Sequence, residues 1–117
     1  MDAEPYNIEI TRGSDWGPEY IICKDGRGGV VPLAGWSAYA VARREGTPHV
    51  VLDFSPVIAP DDTEGKITFP AISHAATAAL PEGVFDWDLI LQHPDGYRLP
   101  PILGGELSVF TPSSLPS

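Results

Sequence analysis

Three carboxylates stand within four residues at Asp61-Asp62-Thr63-Glu64. Hard cations take oxygen ligands of this kind. The full spacing of a calcium loop is missing, so a solvated acidic loop is the plainer reading, and whether Asp61, Asp62 and Glu64 hold a cation stays open. Asp86 and Asp88 lie two apart, which on a strand puts both on one face with Cα atoms ~7 Å apart. Paired carboxylates serve glycoside hydrolysis. These two alternate with a strong apolar face, so an exposed strand face is expected instead. His49, His74 and His93 fall on turns and strand ends. Three imidazoles can hold zinc where they meet in space, but nothing in this spacing demands it. Ser14-Asp15 has neither a nucleophile-elbow sequence nor a His beside it in sequence. Gly26-Arg27-Gly28-Gly29 lacks the Gly-Lys-Ser/Thr ending of a phosphate loop and reads as a hairpin turn. Cys23 is the single cysteine, within the apolar run Tyr20-Ile21-Ile22-Cys23. It permits no intramolecular disulfide and no Cys-based zinc site within one chain, and it reads as a small buried hydrophobe. The expectation is a protein that is not an enzyme, with no catalytic residue, cofactor or metal.

Trp16 stands in the loop Gly13-Ser14-Asp15-Trp16-Gly17-Pro18. A loop tryptophan anchors interfaces well, because it buries a large area at small entropic cost. A place in the core is the competing reading. The candidate contact residues are Trp16, Trp36, Tyr6 near the N-terminal arm, and Leu115 in the C-terminal tail.

The elements that must position these residues are short. Gly 12 and Pro 13 are high counts, and both residues break helices and supply turns. Apolar residues alternate with polar ones over residues 6–11, 66–69 and 84–92, and residues 19–24 and 49–54 also read as strands, each run bounded by turn residues. In residues 84–92, Phe85, Trp87, Leu89 and Leu91 share one face, which places this strand near the centre of the core. Val50, Leu52 and Phe54 share a face in residues 49–54. Residues 35–43 carry alanines that also suit a helix, but Gly35, Tyr39 and Val41 favour a strand. Val30 and Val31 read as extended, and residues 73–80 as a helical turn capped by Ser73. A strand is expected over 97–103 and another over 106–110, with Gly104-Gly105 between them. Seven or eight strands with odd-even patterning predict an all-β fold, an antiparallel β-sandwich of two aligned sheets. It would occupy residues 1–110, and residues 111–117 form a Ser/Pro-rich tail.

The chain has 117 residues, enough for one core without metals or disulfides. Its formal net charge is −9, with 7 Lys+Arg against 16 Asp+Glu. Such a surface repels a polyanion, so no direct nucleic-acid contact is expected. No apolar run approaches the ~20 residues that span a bilayer, so no membrane insertion is expected. The acidic start Met1-Asp2-Ala3-Glu4-Pro5 does not read as a signal peptide, which implies folding in a cytoplasm.

Several pieces of the sequence, taken in order, form a recognisable series. They are Arg12-Gly13-Ser14-Asp15-Trp16, Lys24-Asp25-Gly26, Val31-Pro32-Leu33-Ala34-Gly35-Trp36, Gly65-Lys66-Ile67-Thr68-Phe69 and Ala76-Thr77-Ala78-Ala79-Leu80-Pro81-Glu82-Gly83. Phe85-Asp86-Trp87-Asp88-Leu89, Pro94-Asp95-Gly96 and Leu103-Gly104-Gly105-Glu106-Leu107 complete it. The series resembles the N-terminal immunoglobulin-like domain of phage baseplate upper proteins, and small tail or neck proteins of the same shape. The resemblance spans about residues 8 to 110. It implies a structural protein of a tailed-phage virion, made in the host cytoplasm, that docks tail, baseplate, fibre or neck proteins in a symmetric multi-copy assembly. Trp16 and Gly17-Pro18 depart from the polar residues expected after Gly13-Ser14-Asp15, and the long fibre-binding C-terminal region of the larger baseplate proteins is missing from this sequence. A free-standing adaptor is therefore the expected form. A carbohydrate-binding module and a capsid decoration protein are the alternatives.

Overall fold

Strand-forming alternation is realised as eight strands among the described residues. The structure, a computed structural model, describes residues 4–113. In these residues β1 (Glu4–Pro5), β2 (Ile8–Thr11), β3 (Glu19–Ile22), β4 (Ser37–Arg43), β5 (Val50–Asp53) and β6 (Lys66–Phe69) precede one short helix, α1 (His74–Ala78). β7 (Gly83–Gln92) and β8 (Leu103–Phe110) follow it. One sheet runs β1-β8-β7-β4-β5, with β2 also pairing β8, and β3 pairs β6 in the second. The fold is an all-β sandwich of immunoglobulin-like strand order. The sheet is mixed, because β1 and β2 lie parallel to β8 while the other ladders are antiparallel. The N-terminal segment joins the far edge of the last strand, and no hairpin constrains its direction.

β7 is the central strand. Phe85, Trp87, Leu89 and Leu91 are all buried, and each such burial contributes roughly 1.5–3 kcal/mol. The register explains the alanines of β4: Ala42, Ala40 and Ala38 lie opposite Trp87, Leu89 and Leu91. Small residues beside large ones let the layers interdigitate, so the segment is a strand despite its helix-forming composition. Between the sheets the rings form a box. Phe54 stacks on Phe69 at 5.6 Å, and Trp87 meets Phe54 at 5.7 Å and Phe69 at 6.0 Å.

Three local expectations need correction. First, residues 97–102 form no strand, and Leu103 already begins β8. The hairpin from β7 keeps only scattered bonds, such as Leu99 N donating to Leu91 O at 3.0 Å, because Pro100 and Pro101 cannot donate to a ladder. Second, Gly104 and Gly105 lie inside β8 instead of ending it. A Cβ on Gly105 would stand 2.6 Å from Asn7 Oδ1 and 2.7 Å from Tyr6 O, so the chain between β1 and β2 needs a glycine beneath it. Third, Val50 is exposed. A register shift at Ala42 and Arg43 displaces the start of β5, and Val51 packs on the core with Leu52 instead.

Candidate functional site

The first and fifth pieces of the series meet in space. Residues 12–16 run along α1 and the segment before it, bonded at every step. Arg12 Nη2 donates to Ala78 O at 2.8 Å. Gly13 N donates to Thr77 Oγ1 at 3.0 Å, and Thr77 Oγ1 donates to Ser14 O at 2.8 Å. His74 N donates to Asp15 Oδ1 at 2.6 Å. Trp16 and Ile72 exchange backbone bonds of 2.9 and 2.8 Å. Ser73 caps the helix, accepting from Ala76 N at 3.3 Å. Arg12 Nη1 also reaches Thr111 Oγ1 at 2.9 Å, which ties the exit of β8 to the same clasp. Its Nε is buried without a partner among the described residues.

This clasp gives Asp15 the His partner that its own neighbourhood lacks, with His74 Nδ1 at 3.0 Å. The His74 backbone N–H, then its ring, hold the Asp15 carboxyl below its ordinary range. Both side chains are exposed, so the pair adds little to stability. No hydroxyl bonds the His74 ring among the described residues, so no nucleophilic triad is assembled.

Trp16 is not an exposed anchor. It is 9% exposed and packs against Phe54 at 5.7 Å. Its backbone bridge to Ile72 accompanies an inward ring, which is the competing reading, a place in the core. Tyr6 is half-buried, edge-on to Trp87 at 6.0 Å. Burial first, and the Glu19 carboxylate second, raise its hydroxyl pKa. Leu115 lies outside the described residues, as do the rest of residues 114–117 and residues 1–3.

In the acidic loop, Asp62 is 6% exposed. Its two oxygens accept from the backbone N–H groups of Leu33, Gly65, Lys66 and Glu64, at 2.8, 2.8, 3.2 and 3.4 Å. Desolvation raises its pKa, and these four bonds outweigh it and lower the value below 3.8. The carboxylate is thereby committed to the loop, while Asp61 and Glu64 are exposed. No group of three or more His, Cys, Asp or Glu converges among the described residues, the three histidines included. In the glycine-rich turn, Asp25 Oδ1 accepts from Arg27 N and Gly29 N, so these amides are already taken. Cys23 is half-buried, and burial raises its thiol pKa, the opposite of activation.

Asp86 is exposed and Asp88 half-buried on the outer face of β7. Asp86 lies between Arg43 and Glu106 in register. An open groove of ≈ 350 Å³ beside them is lined by Arg43, Arg44 and Pro48 among others. No Arg–carboxylate ion pair forms there among the described residues.

The opposite end of the sandwich gathers aromatic rings. Trp36, the residue before β4, meets His93 edge-on at 4.8 Å and Tyr97 at 6.4 Å. His93 and Tyr97 stack at 4.4 Å with planes 10° apart. The turn between them fixes the stack: Asp95 N donates to His93 Nδ1 at 3.0 Å and His93 N to Tyr97 O at 2.8 Å. Tyr97 is 54% exposed. Beside it, Arg98 Nε donates to Gln92 Oε1 at 2.8 Å and its guanidinium lies over Tyr39 at 5.2 Å. Of the candidate contact residues, only Trp36 belongs to this cluster. Tyr97 and His93 were missed, although rings flanking Pro94-Asp95-Gly96 are a legible signal for a rigid hairpin tip. No protein-family model matches the chain, and no curated protein shows a significant match to it.

Proposed function

We propose that this chain is a non-enzymatic docking module whose loop end, built from Trp36, His93 and Tyr97, seats on another protein. The observation that carries the reading is the Tyr97 ring. It is more than half exposed, yet held by a stack on His93 and the edge of Trp36. A rigid, exposed aromatic buries contact area without an ordering cost, which is the character of interface anchors. The ordered sequence series supports the finer reading, an adaptor in a tailed-phage virion that docks tail, baseplate, fibre or neck subunits in many copies.

The test is incorporation. Particles from a phage encoding the chain are purified and their proteins quantified by mass spectrometry. Several stoichiometric copies are expected, with Tyr97→Ala lowering incorporation while leaving the melting temperature unchanged. Absence of the chain from particles sinks the virion reading. Full incorporation of the Tyr97→Ala protein sinks the assignment of the surface. The same cluster favours one other reading, a carbohydrate platform, since Tyr97 presents an open ring beside the exposed Asp95. Specific glycan-array binding lost in Tyr97→Ala would select it.

A further inference from the structure

Asp-Gly occurs twice in this chain, at Asp25-Gly26 and Asp95-Gly96, and each pair lies in an exposed turn. Such a pair carries a reactivity of its own. The amide nitrogen that follows an aspartate can attack the side-chain carboxyl and close a five-membered succinimide. A glycine leaves that nitrogen unshielded by any Cβ. The other aspartates among the described residues, and Asn7, precede residues that have a side chain.

The two pairs are held differently. Asp25 Oδ1 accepts from Arg27 N at 2.8 Å and from Gly29 N at 3.0 Å. The carboxylate must leave both amides to reach the Gly26 nitrogen. Two further bonds close the turn around it, Asp25 N to Gly29 O at 2.8 Å and Gly28 N to Asp25 O at 3.1 Å. The Asp95 carboxyl takes no backbone amide among the described residues, and its side chain is 81% exposed. Its neighbour is the His93 imidazole. His93 Nδ1 accepts from Asp95 N at 3.0 Å and stands 3.5 Å from Asp95 Oδ2. The stack on Tyr97 and the edge of Trp36 keep the ring in that place. Gly96 has open space where a Cβ would stand. One bond opposes attack, from Gly96 N to His93 O at 2.8 Å, and it lies at an exposed tip, where hydrogen bonds open most readily.

We propose that Asp95-Gly96 is a self-modification site, at which the chain converts to isoaspartate with His93 as the proton donor. The protonated imidazole turns Nδ1 from accepting to donating and passes its proton to the Asp95 carboxylate. Gly96 N then bonds to Asp95 Cγ, and the carboxyl hydroxyl leaves as water with the Gly96 amide proton. Water next adds to one of the two ring carbonyls. At Cγ it breaks the new bond and restores aspartate. At the Asp95 main-chain carbon it breaks the old peptide bond, and the chain then runs through the side chain. No atom is gained or lost over the two steps, and no oxidant enters. The product lengthens the main chain by one carbon between His93 and Tyr97, which opposes closure of the bond from His93 N to Tyr97 O and loosens the stack above it. The loss of docking that follows rests on the reading of the tip given above, whereas the chemistry does not.

The test is peptide mapping of the full chain after warm incubation in mildly acidic buffer, with electron-transfer fragmentation to distinguish the two linkages. A succinimide one water lighter is expected first, then isoaspartate at Asp95, forming about tenfold faster than at Asp25, whose carboxylate must break two hydrogen bonds. Exchange of the His93 amide should quicken in the converted chain. Asp95→Glu keeps the charge but cannot close the five-membered ring, so its peptide should stay unconverted. His93→Phe keeps a ring against Tyr97 and removes the proton donor, so conversion should slow. Equal rates at the two pairs, or no isoaspartate at Asp95, overturn the proposal. An undiminished rate in His93→Phe overturns the part given to the imidazole. The readout needs no partner, so a converted chain that still enters particles fully sinks the docking reading of the tip and leaves the modification standing.

Discussion

Asp62 draws its bonds from two stretches of chain, with Leu33 29 residues away and the other donors within four. An amide in its place presents an NH2 group towards backbone N–H donors, so Asp62→Asn is expected to lower the melting temperature by several degrees at neutral pH. The sign of the pH dependence follows from the depressed pKa. The stabilisation is fully present above 3.8, the ordinary value, and is lost as pH falls through the lower folded value. The gap between wild type and Asp62→Asn should therefore close in acid, as thermal melts across that range will show. Gly105→Ala should cost about 1–3 kcal/mol in urea unfolding, because the added Cβ meets Tyr6 O and Asn7 Oδ1. The sequence displayed both residues but not their reasons. An acidic run looks the same whether its carboxylates face water or backbone. A Gly-Gly pair looks like a turn until the crossing segment is in view.

At the scale of elements, the clasp of residues 12–16 on α1 depends on Thr77, a buried polar residue that both donates and accepts across it. Thr77→Val keeps the shape and removes the hydroxyl, leaving the Gly13 N–H and Ser14 carbonyl unpaired. Urea denaturation should register a loss of about 1–3 kcal/mol, with Thr77→Ser recovering most of it. Elements with strong alternation were legible: β6 and β7 lie almost where their patterns place them, and Ser73 caps α1. Where alternation was misleading, a backbone constraint intervened. Pro100 and Pro101 dissolve the return strand, and the shift in β5 turns Val50 outward. The partnership of residues 12–16 with α1 was invisible, because side chain–backbone bonds over some 60 residues leave no periodic trace.

The whole molecule carries its excess of acid without Arg– or Lys–carboxylate pairs among the described residues, where the close His–carboxylate contacts are His74–Asp15 and His93–Asp95. Self-repulsion of like charge then outweighs attraction between unlike charge, so added sodium chloride should raise the melting temperature. A fall would show that attractive pairs dominate. Layering and strand count were readable from composition and punctuation, but sheet order was not, since nothing local announces that β2 pairs with β8 over a separation of 99 residues. That pairing has a mechanical consequence. β2 and β8 point the same way, so tension applied at the start of one and the end of the other slides them lengthwise past each other. The four registered residues of β2 would share that load together, where a hairpin would peel open one bond at a time. Stretched between neighbours by its two extremities, the domain should resist rupture as a shear joint, and single-molecule pulling along that axis would measure how firmly.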